Sequence, residues 1–594
     1  MQGVLESEGP GGGARLPSPT PSGAGLSRLL GRFSPFDVVS VAVVAFLAFI
    51  AVYPLMRVFW RAFVDNGRLD LRPLQLVFTY PDLPVLLLNT AIVVAASSVL
   101  ALVIGSVLAW INERTDARMG IVTDALPLVP FLLPPIAGAI GWVLLLSDRA
   151  GLLNALLRAG LAPFGITLTE GPLNIYSWGG LIFVYTLYGI PYVYLMMGAG
   201  LRNVDSSLEE ASRVSGRGLF DTMRMVTLPA VRPSLGAAIL LLVWFELSLF
   251  SVPVIIGKGA GIDVLSVRIV RLLSFTYPPQ IAEAIALSLI VVVALALAWH
   301  FQNRVLARGH HATVGGKGHK VAILRLGAWR WPARLLILGY IALAAVLPVI
   351  GLLLVALNGY WTANIKWSKL SFASFHETLW VDQITRASLG NSLMLSITGA
   401  TVGMVAAAIL ALFVKRHGKG VARLIDGVVK VPAAIASIVL AVGFVLAFSG
   451  PPFNLNGTLL ILLLAYLALY IPQGSVAADA AAAQVGRELT EASQIAGASG
   501  ARTFWRVSMP LMIGGLVAGW ALLFVRMVGD LTASAILAGT NNPVVGFRIL
   551  EVFEGASYAS LAALSTVLTL ICAVVIAALL VYTRRRGAVR VNAV

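Results

Sequence analysis

The chain has 594 residues, of which 58% are hydrophobic and only 12% are charged. A soluble globular protein carries about 25% charged residues, so this composition excludes an ordinary soluble domain. The net charge of +16 does not call for nucleic acid as a partner, because membrane proteins collect basic residues in their cytoplasmic loops.

The first 35 residues are rich in glycine, proline and serine. They lack the apolar stretch of a cleaved secretory signal, and their composition cannot bury a core. This segment is predicted to be a disordered cytoplasmic tail.

Apolar runs follow along the whole remaining length, and each is long enough to cross a bilayer as a helix, which takes about 20 residues. The pattern predicts an all-α polytopic membrane protein with about twelve transmembrane helices. In the first half the predicted spans lie near 37–59, 85–110, 123–146, 178–200, 233–256 and 281–301. In the second half they lie near 334–358, 390–414, 428–449, 457–478, 512–538 and 561–583. They are called the first to sixth span of each half below.

The distribution of basic residues predicts the orientation. The segment 303–334 carries seven Lys and Arg residues and no acid, and the last eleven residues carry four Arg and no acid. With twelve spans, both basic segments lie on the same side of the membrane. Basic loops collect on the cytoplasmic side, so both segments and both termini are predicted to be cytoplasmic, with the chain in the inner membrane. The predicted domains are the tail at 1–35, a first transmembrane domain at 36–302, a basic cytoplasmic linker at 303–333 and a second transmembrane domain at 334–594.

The two halves repeat each other in the same direction. Asn89 matches Asn391 at an offset of 302 residues, and Glu210 matches Glu491 at an offset of 281. The change in offset is explained by a longer outside loop in the first half, near 148–176. A tandem duplication of a six-helix unit is typical of transporters, whose substrate path lies where the repeats meet.

Each half carries one polar island between its fourth and fifth spans. The first island is Glu210–Pro229 (EASRVSGRGLFDTMRMVTLP), and the second island is Glu491–Pro510 (EASQIAGASGARTFWRVSMP). Both have Ala at +1, Ser at +2, Gly at +6, Thr at +12 and Pro at +19 from the Glu. The pattern predicts two short helices with a bend at Gly216 or Gly497, followed by the next span. A loop duplicated with fixed glycines and prolines indicates a docking surface that is used twice.

The islands resemble the cytoplasmic signature of the membrane permeases of ATP-binding-cassette importers. The matching residues are Glu210, Ala211, Gly216, Leu228 and Pro229, and Glu491, Ala492, Gly497, Met509 and Pro510. Both islands depart from the signature by Ser at the second Ala, and the second also has Met before its Pro. The resemblance covers both six-helix halves.

That resemblance implies a fold, partners and a substrate class. In the family the loop inserts into a groove of an ATPase subunit and transmits nucleotide-driven motion to the membrane helices, so two ATPase subunits and an extracytoplasmic substrate-binding protein are expected. Two permease domains fused in one chain look most like the ferric-iron branch, whose relatives handle thiamine, aminoethylphosphonate and similar solutes. Ferric iron is the expected substrate, and another small solute is the alternative.

The sequence contains no phosphate-binding G-x-x-x-x-G-K-[ST] motif. Gly316-Lys317 and Gly418-Lys419 lack both the upstream Gly and the following Ser or Thr. Without that cradle the chain is not expected to hydrolyse ATP or to bind a cofactor. ATP and Mg²⁺ are therefore expected on the separate ATPase subunits, and the chain itself is not expected to be an enzyme.

Ionisable residues inside spans are costly and mark functional sites. Glu246 and Asp530 occur at matching places in the two fifth spans, as Glu-Leu-Ser and Asp-Leu-Thr. They are candidates for the translocation path, together with Asn89 and Asn391 at the heads of the second spans. The alternatives are a local ion pair between Arg526 and Asp530 and helix–helix hydrogen bonds from the two Asn residues.

The six histidines show no metal-ligand spacing, so no metal site is expected. They are His300, His310, His311, His319, His376 and His417. Two other classes of protein stay open. A secondary transporter driven by an ion gradient gives no reason for the duplicated islands, and a membrane scaffold without transport gives none for the duplicated acids.

Overall fold

The computed structural model describes residues 35–591, except for 124–132, 308–322, most of 418–436, 484–486 and a few single positions. The predicted tail lies outside the described residues apart from Pro35, and so does the middle of the predicted linker with three of the six histidines.

The first half is built from helices, because in lipid a helix satisfies its own backbone N–H and C=O groups. These helices are Pro35–Phe63, Leu83–Arg114, Pro135–Leu146, Leu152–Leu161, Trp178–Asn203, Ser206–Val214, Leu219–Thr222, Leu228–Ala230, Arg232–Ser248, Ser251–Ala260, Leu265–Ser274 and Ile281–Ala307. The first two are joined by a loop that contains a small antiparallel ribbon of Val64–Asp65 and Arg68–Leu69.

The second half repeats this plan. Its helices are Arg330–Ile341, Leu347–Asn358, Ala373–His376, Gln383–His417, Ser437–Phe448, Leu459–Ala483, Arg487–Ile495, Gly500–Thr503, Met509–Val528, Ser534–Leu537, Val545–Glu554 and Tyr558–Val591. Short π-helical turns occur at Met223–Thr227, Ala342–Val346, Glu377–Val381 and Phe504–Ser508, and 3₁₀ turns at Ala162–Phe164, Gly327–Trp329 and Trp367–Lys369.

A helix lies at every one of the twelve predicted spans. In the part of the chain that the structure describes, eight helices are long and apolar enough to cross a membrane, and a bent pair at the fifth span of the first half makes nine. At the other three predicted positions the described residues form shorter apolar helices, Pro135–Leu146, Ser437–Phe448 and Ile281–Ala294. The fold is therefore an all-α polytopic one.

The fifth spans differ from the sequence pattern, which predicted one continuous helix in each half. In the first half the helix stops at Ser248 and a new one begins at Ser251. In the second half it stops at Val528, and a short helix follows from Ser534. The first break, Leu249-Phe250, is apolar, so hydrophobicity alone gives no sign of it, whereas the second break contains Gly529, Asp530 and Thr532. Non-helical backbone at this depth is tolerated where it is buried in protein or lines a cavity.

The first span of each half packs on the third span of the other half. A Cβ built on Gly141 would lie 2.7 Å from the Pro348 carbonyl oxygen, and one built on Gly443 would lie 2.9 Å from that of Pro54. These two close contacts are equivalent under the repeat. Small residues allow helices in a membrane to approach this closely, and the exchange of first spans ties the halves together.

Candidate functional site

Both islands fold as two short helices joined by a turn. The first island and its lead-in form Ser206–Val214 and Leu219–Thr222, and the second island forms Arg487–Ile495 and Gly500–Thr503. The second short helix of each pair continues through a π-helical turn towards the fifth span. The islands therefore have the same local structure as well as the same residues.

The turn in each island depends on its glycine. Gly216 has φ +82° and Gly497 has φ +81°, which is the left-handed region. Nothing lies within 4 Å of a Cβ built on either residue, so the backbone conformation rather than crowding selects glycine. The turn closes when the N–H of Arg217 donates to Ser212 O at 3.3 Å, and Ala498 donates to Ser493 O at 3.1 Å.

A hydroxyl pair clamps the two short helices of each island. The side-chain oxygens of Ser212 and Thr222 are 3.0 Å apart, and those of Ser493 and Thr503 are also 3.0 Å apart. These are the Ser at +2 and the Thr at +12 of the repeated pattern. The pattern is therefore explained by a contact inside each island, which leaves the rest of its surface free to bind a partner.

That remaining surface is exposed and partly apolar. Glu210, Ala211, Glu491 and Ala492 are all exposed. The apolar members at matching positions are Leu208 and Val214, at 54% and 89% exposure, and Leu489 and Ile495, at 50% and 87%. Exposed apolar side chains beside charges mark an interaction site, and here the arrangement occurs twice.

The islands differ in how they join the fifth span. Leu219–Ala230, which contains Pro229, meets Arg232–Ser248 at an angle of 70°, whereas the helix from Phe504 to Val528 passes through Pro510 as a single span. The first half has an additional proline, Pro233, one turn after Pro229. Its ring conflicts with the carbonyl four residues earlier, which is the physical reason for the bend.

Arg114 fixes the lead-in to the first island to the end of the second span, and the sequence pattern did not single it out. Its side chain is 3% exposed, and it donates to Leu201 O at 2.9 Å and to Val204 O at 3.0 Å. Its Nε lies 3.4 Å from Glu209 Oε2. The internal repeat could have pointed to Arg114, because Arg416 matches it at the offset of 302 that also relates Asn89 to Asn391.

A cavity of about 90 Å³ lies where the two halves meet, at the breaks in both fifth spans. Its walls include Trp244, Phe245 and Ser248 of the first half, and Tyr470, Gln473, Arg526 and Asp530 of the second. The cavity is thus built by both repeats and combines aromatic, polar and charged groups.

Asp530 stabilises the break in its own span and also lines the cavity. Its Oδ1 accepts from the backbone N–H groups of Ala533 and Ser534 at 3.0 and 3.1 Å, as a residue capping a helix does. Its Oδ2 accepts from the hydroxyl of Tyr470 at 2.6 Å. The carboxylate is therefore held rigidly at the cavity wall.

Glu246 is placed differently. Its Oε2 accepts from the hydroxyls of Ser97 and Ser98 at 2.7 and 2.9 Å, so the carboxylate faces the second span of its own half. Its Oε1 has no hydrogen-bond partner among the described residues, and the residue is 1% exposed. The cavity wall is formed by its neighbours Phe245 and Ser248 instead. The duplicated acids thus share a position in the repeat but face different surroundings.

Comparison with known proteins gives the family. The model of the binding-protein-dependent transport system inner membrane component matches residues 101–307 and again residues 399–586. The chain is a member of that family. The permease therefore contains the family domain twice, and each copy includes one island.

Several curated relatives cover most of this permease. A putative ferric transport system permease protein of Haemophilus influenzae is 21% identical over 85% of this chain and 78% of its own. A ferric transport system permease protein of Actinobacillus pleuropneumoniae is 20% identical over 90% and 76%. A probable ABC transporter permease of Sinorhizobium fredii is 25% identical over 69% and 72%. With its apolar helices, the chain is a multi-pass inner-membrane subunit of a binding-protein-dependent ABC importer.

Arg526 of the permease reaches across to the first half. Its guanidinium contacts the hydroxyl of Tyr192 and lies 5.8 Å from the centroid of that ring and 5.9 Å from that of Phe245. Arg526 is one helical turn before Asp530, and both line the cavity. The ion pair between Arg526 and Asp530 stays a prediction, whereas the contact across the halves was not predicted.

Asn89 and Asn391 lie away from the cavity, at the ends of the second spans opposite the islands. Asn89 donates to Asp263 O at 3.1 Å, and Asn391 donates to Pro543 O at 2.9 Å. The next residues repeat the pattern, since Thr90 accepts from Leu265 N at 3.0 Å and Ser392 accepts from Val545 N at 2.8 Å. Each Asn thus anchors the residues just before a short helix, Leu265–Ser274 in the first half and Val545–Glu554 in the second. This agrees with the alternative of hydrogen bonds between helices.

No group of three or more His, Cys, Asp or Glu side chains that could hold a metal occurs among the described residues.

Proposed function

We propose that the permease imports ferric iron, which an extracytoplasmic binding protein delivers and which two separate ATPase subunits drive across the inner membrane. The names of the relatives that cover most of the chain support iron as the substrate. The islands lie in the cytoplasm with both termini, as the basic segments predict, and each island receives one ATPase subunit.

The duplicated island carries the proposal. Each island has an exposed Glu and two exposed apolar side chains at matching positions, and each leads into a fifth span. In the second half one helix runs from Phe504 to Val528 and carries Arg526 on the cavity wall, and in the first half the run from Leu219 bends by 70° before it ends at Ser248 on the same wall. A displacement of the docked island therefore moves the cavity wall directly, because helices transmit motion as rigid elements.

The lining of the cavity is consistent with a path that binds a cation weakly. Asp530, Tyr470 and Ser248 offer oxygen atoms, which hard cations prefer as ligands. The carboxylate of Asp530 already accepts four hydrogen bonds, and Arg526 stands on the same wall. Such a site binds a cation only briefly, which suits transport because a path must release what enters it.

Reconstitution tests the proposal. The permease, its ATPase subunits and the binding protein are placed in lipid vesicles, and the accumulation of radiolabelled ferric iron is followed with ATP and without it. We expect accumulation only with ATP and the binding protein. Accumulation of thiamine or 2-aminoethylphosphonate instead of iron would refute the substrate and leave the ABC mechanism intact. Uptake driven by a proton gradient without ATP would refute the mechanism.

A further inference from the structure

The linker between the halves ends against the cytoplasmic end of the second span. Leu324 forms a parallel bridge with Thr115. The N–H of Leu324 donates to Arg114 O at 2.8 Å, and the N–H of Asp116 donates to Leu324 O at 3.1 Å. Leu326 N–H adds a bond of 3.0 Å to Asp116 Oδ1. Three hydrogen bonds thus hold the last linker residues in place.

Arg114 connects the bridged linker residue Leu324 to the lead-in of the first island. Its carbonyl accepts from Leu324, while its guanidinium holds Leu201 O, Val204 O and Glu209. The linker, the second span and the lead-in to the first island therefore all contact the buried side chain or the backbone of Arg114.

Leu324 also lies in the same groove as the island's Glu. The groove is lined by Trp110, Arg114, Glu210, Arg213, Met223 and Leu324. A partner that contacts Glu210 in this groove therefore meets a residue that leads into the second half of the chain.

The second island has a related neighbour. The ring of Phe36, at the start of the first span of the first half, lies 6.2 Å from the ring of Phe504. The second island is thus contacted by the start of the first span of the opposite half, and the first island shares its groove with the segment that leads into the first span of the second half.

We propose that the docking site at the first island is composite, with Leu324 of the linker forming part of the surface that the ATPase subunit covers. This rests on the proposed docking of the ATPase on the islands. The ATPase is the occupant because the groove is continuous with the exposed island and presents Glu210 and Arg213 beside Leu324 and Met223. An ATPase seated there holds both halves at once, so its motion also reaches the first span of the second half.

Cysteine footprinting tests this directly. The single native cysteine is buried, and Cys572→Ala gives a background without cysteine. Leu324→Cys, Val214→Cys and Arg304→Cys are made separately in the full permease. Each variant is treated with a water-soluble maleimide, with and without the co-expressed ATPase subunit. Val214 reports on the island, and Arg304 is an exposed control on the sixth span.

We expect the ATPase to slow labelling at positions 324 and 214 by about tenfold or more, as for a contact worth at least about 1.4 kcal/mol, and to leave position 304 unchanged. Protection at 214 without protection at 324 would overturn the composite site and leave docking on the island standing. No protection at either position would overturn the proposed docking as well.

A pair of substitutions gives a second readout. Leu324→Asp brings a carboxylate into the groove of Glu210, whereas Leu324→Ala keeps the backbone bridge and adds no charge. We expect co-purification of the ATPase to fall about tenfold in the Asp variant and much less in the Ala variant. Equal recovery of the ATPase with both variants and with the native permease would contradict a role for Leu324.

Discussion

The hydroxyl of Ser212 lies 3.0 Å from that of Thr222, and the pair holds the two short helices of the first island together. Both residues are buried although the island itself is exposed. The same pair recurs at Ser493 and Thr503 with the same distance, so the shape of each island is set from within.

Ser212→Ala leaves the Thr222 hydroxyl buried without this partner, which costs about 1–3 kcal/mol. We expect faster amide hydrogen exchange across the first island and unchanged exchange in the second. The double variant Ser212→Ala/Thr222→Val removes both hydroxyls and is expected to recover part of the protection. Exchange in the single variant that matched the native permease would show that the hydroxyl pair does not hold the island.

The contact between Gly141 and Pro348 predicts a stability effect. A Cβ at Gly141 would lie 2.7 Å from backbone and side-chain atoms of Pro348, so Gly141→Ala is expected to destabilise the permease by about 1–3 kcal/mol. Gly339→Ala is the matched control, since nothing lies within 4 Å of its Cβ. Thermal unfolding in detergent should show a lower midpoint for Gly141→Ala only. Equal midpoints for the two variants would contradict the exchanged packing of the first spans.

The sequence was sufficient to predict the islands but not this exchange. Fixed spacing placed Gly216, Gly497, Pro229 and Pro510 at turns and helix starts, because backbone conformation is a local property. Which helix Gly141 contacts is not local. Membrane helices are apolar on every side, so no periodic stripe shows which face meets which neighbour.

The two acids show the same limit. Their shared position predicted one role for Glu246 and Asp530, yet Ser97 and Ser98 turn the first away and Tyr470 holds the second at the cavity. The break after Glu246 was also hidden, because Leu249 and Phe250 are apolar, whereas Asp530 lies inside the second break.

Asp530→Asn is expected to reduce substrate uptake about tenfold or more, the equivalent of at least about 1.4 kcal/mol, because it removes the negative charge from the cavity wall. The amide oxygen of Asn can still accept from Ala533 and Ser534, so the break in the helix is retained. Tyr470→Phe removes a neutral oxygen from the same wall and keeps the charge, so it is expected to reduce uptake less than Asp530→Asn. Initial uptake rates are compared at equal amounts of permease in the vesicles.

Glu246→Gln is expected to change uptake far less than Asp530→Asn, because this carboxylate faces the second span. A larger loss for Glu246→Gln than for Asp530→Asn would contradict the assignment of Asp530 to the path.

Asp382, just before the second span of the second half, predicts an acid-sensitive contact. Burial opposes its ionisation, but hydrogen bonds from Thr385 and Arg548 outweigh burial and hold the pKa of Asp382 below its ordinary value. A carboxyl whose pKa is lower in the folded state stabilises fully above its unfolded pKa of about 3.9 and loses this effect as the pH falls. Asp382→Asn should therefore lower the unfolding midpoint near neutral pH, and this loss should shrink as the pH falls below about 3.9. A loss that is the same near neutral pH and in acid would rule out the ionised contact between Asp382 and Arg548 as the cause.

The most direct test of the central claim is the combined substitution of the two exposed glutamates, Glu210→Ala with Glu491→Ala. The double variant is purified with its ATPase subunits, and ATP turnover stimulated by the loaded binding protein is measured against the native complex. If the islands are the two docking surfaces, co-purification or stimulated turnover is lost in the double variant and only partly reduced in each single one. Full stimulation and full recovery of the ATPase in the double variant would contradict the account.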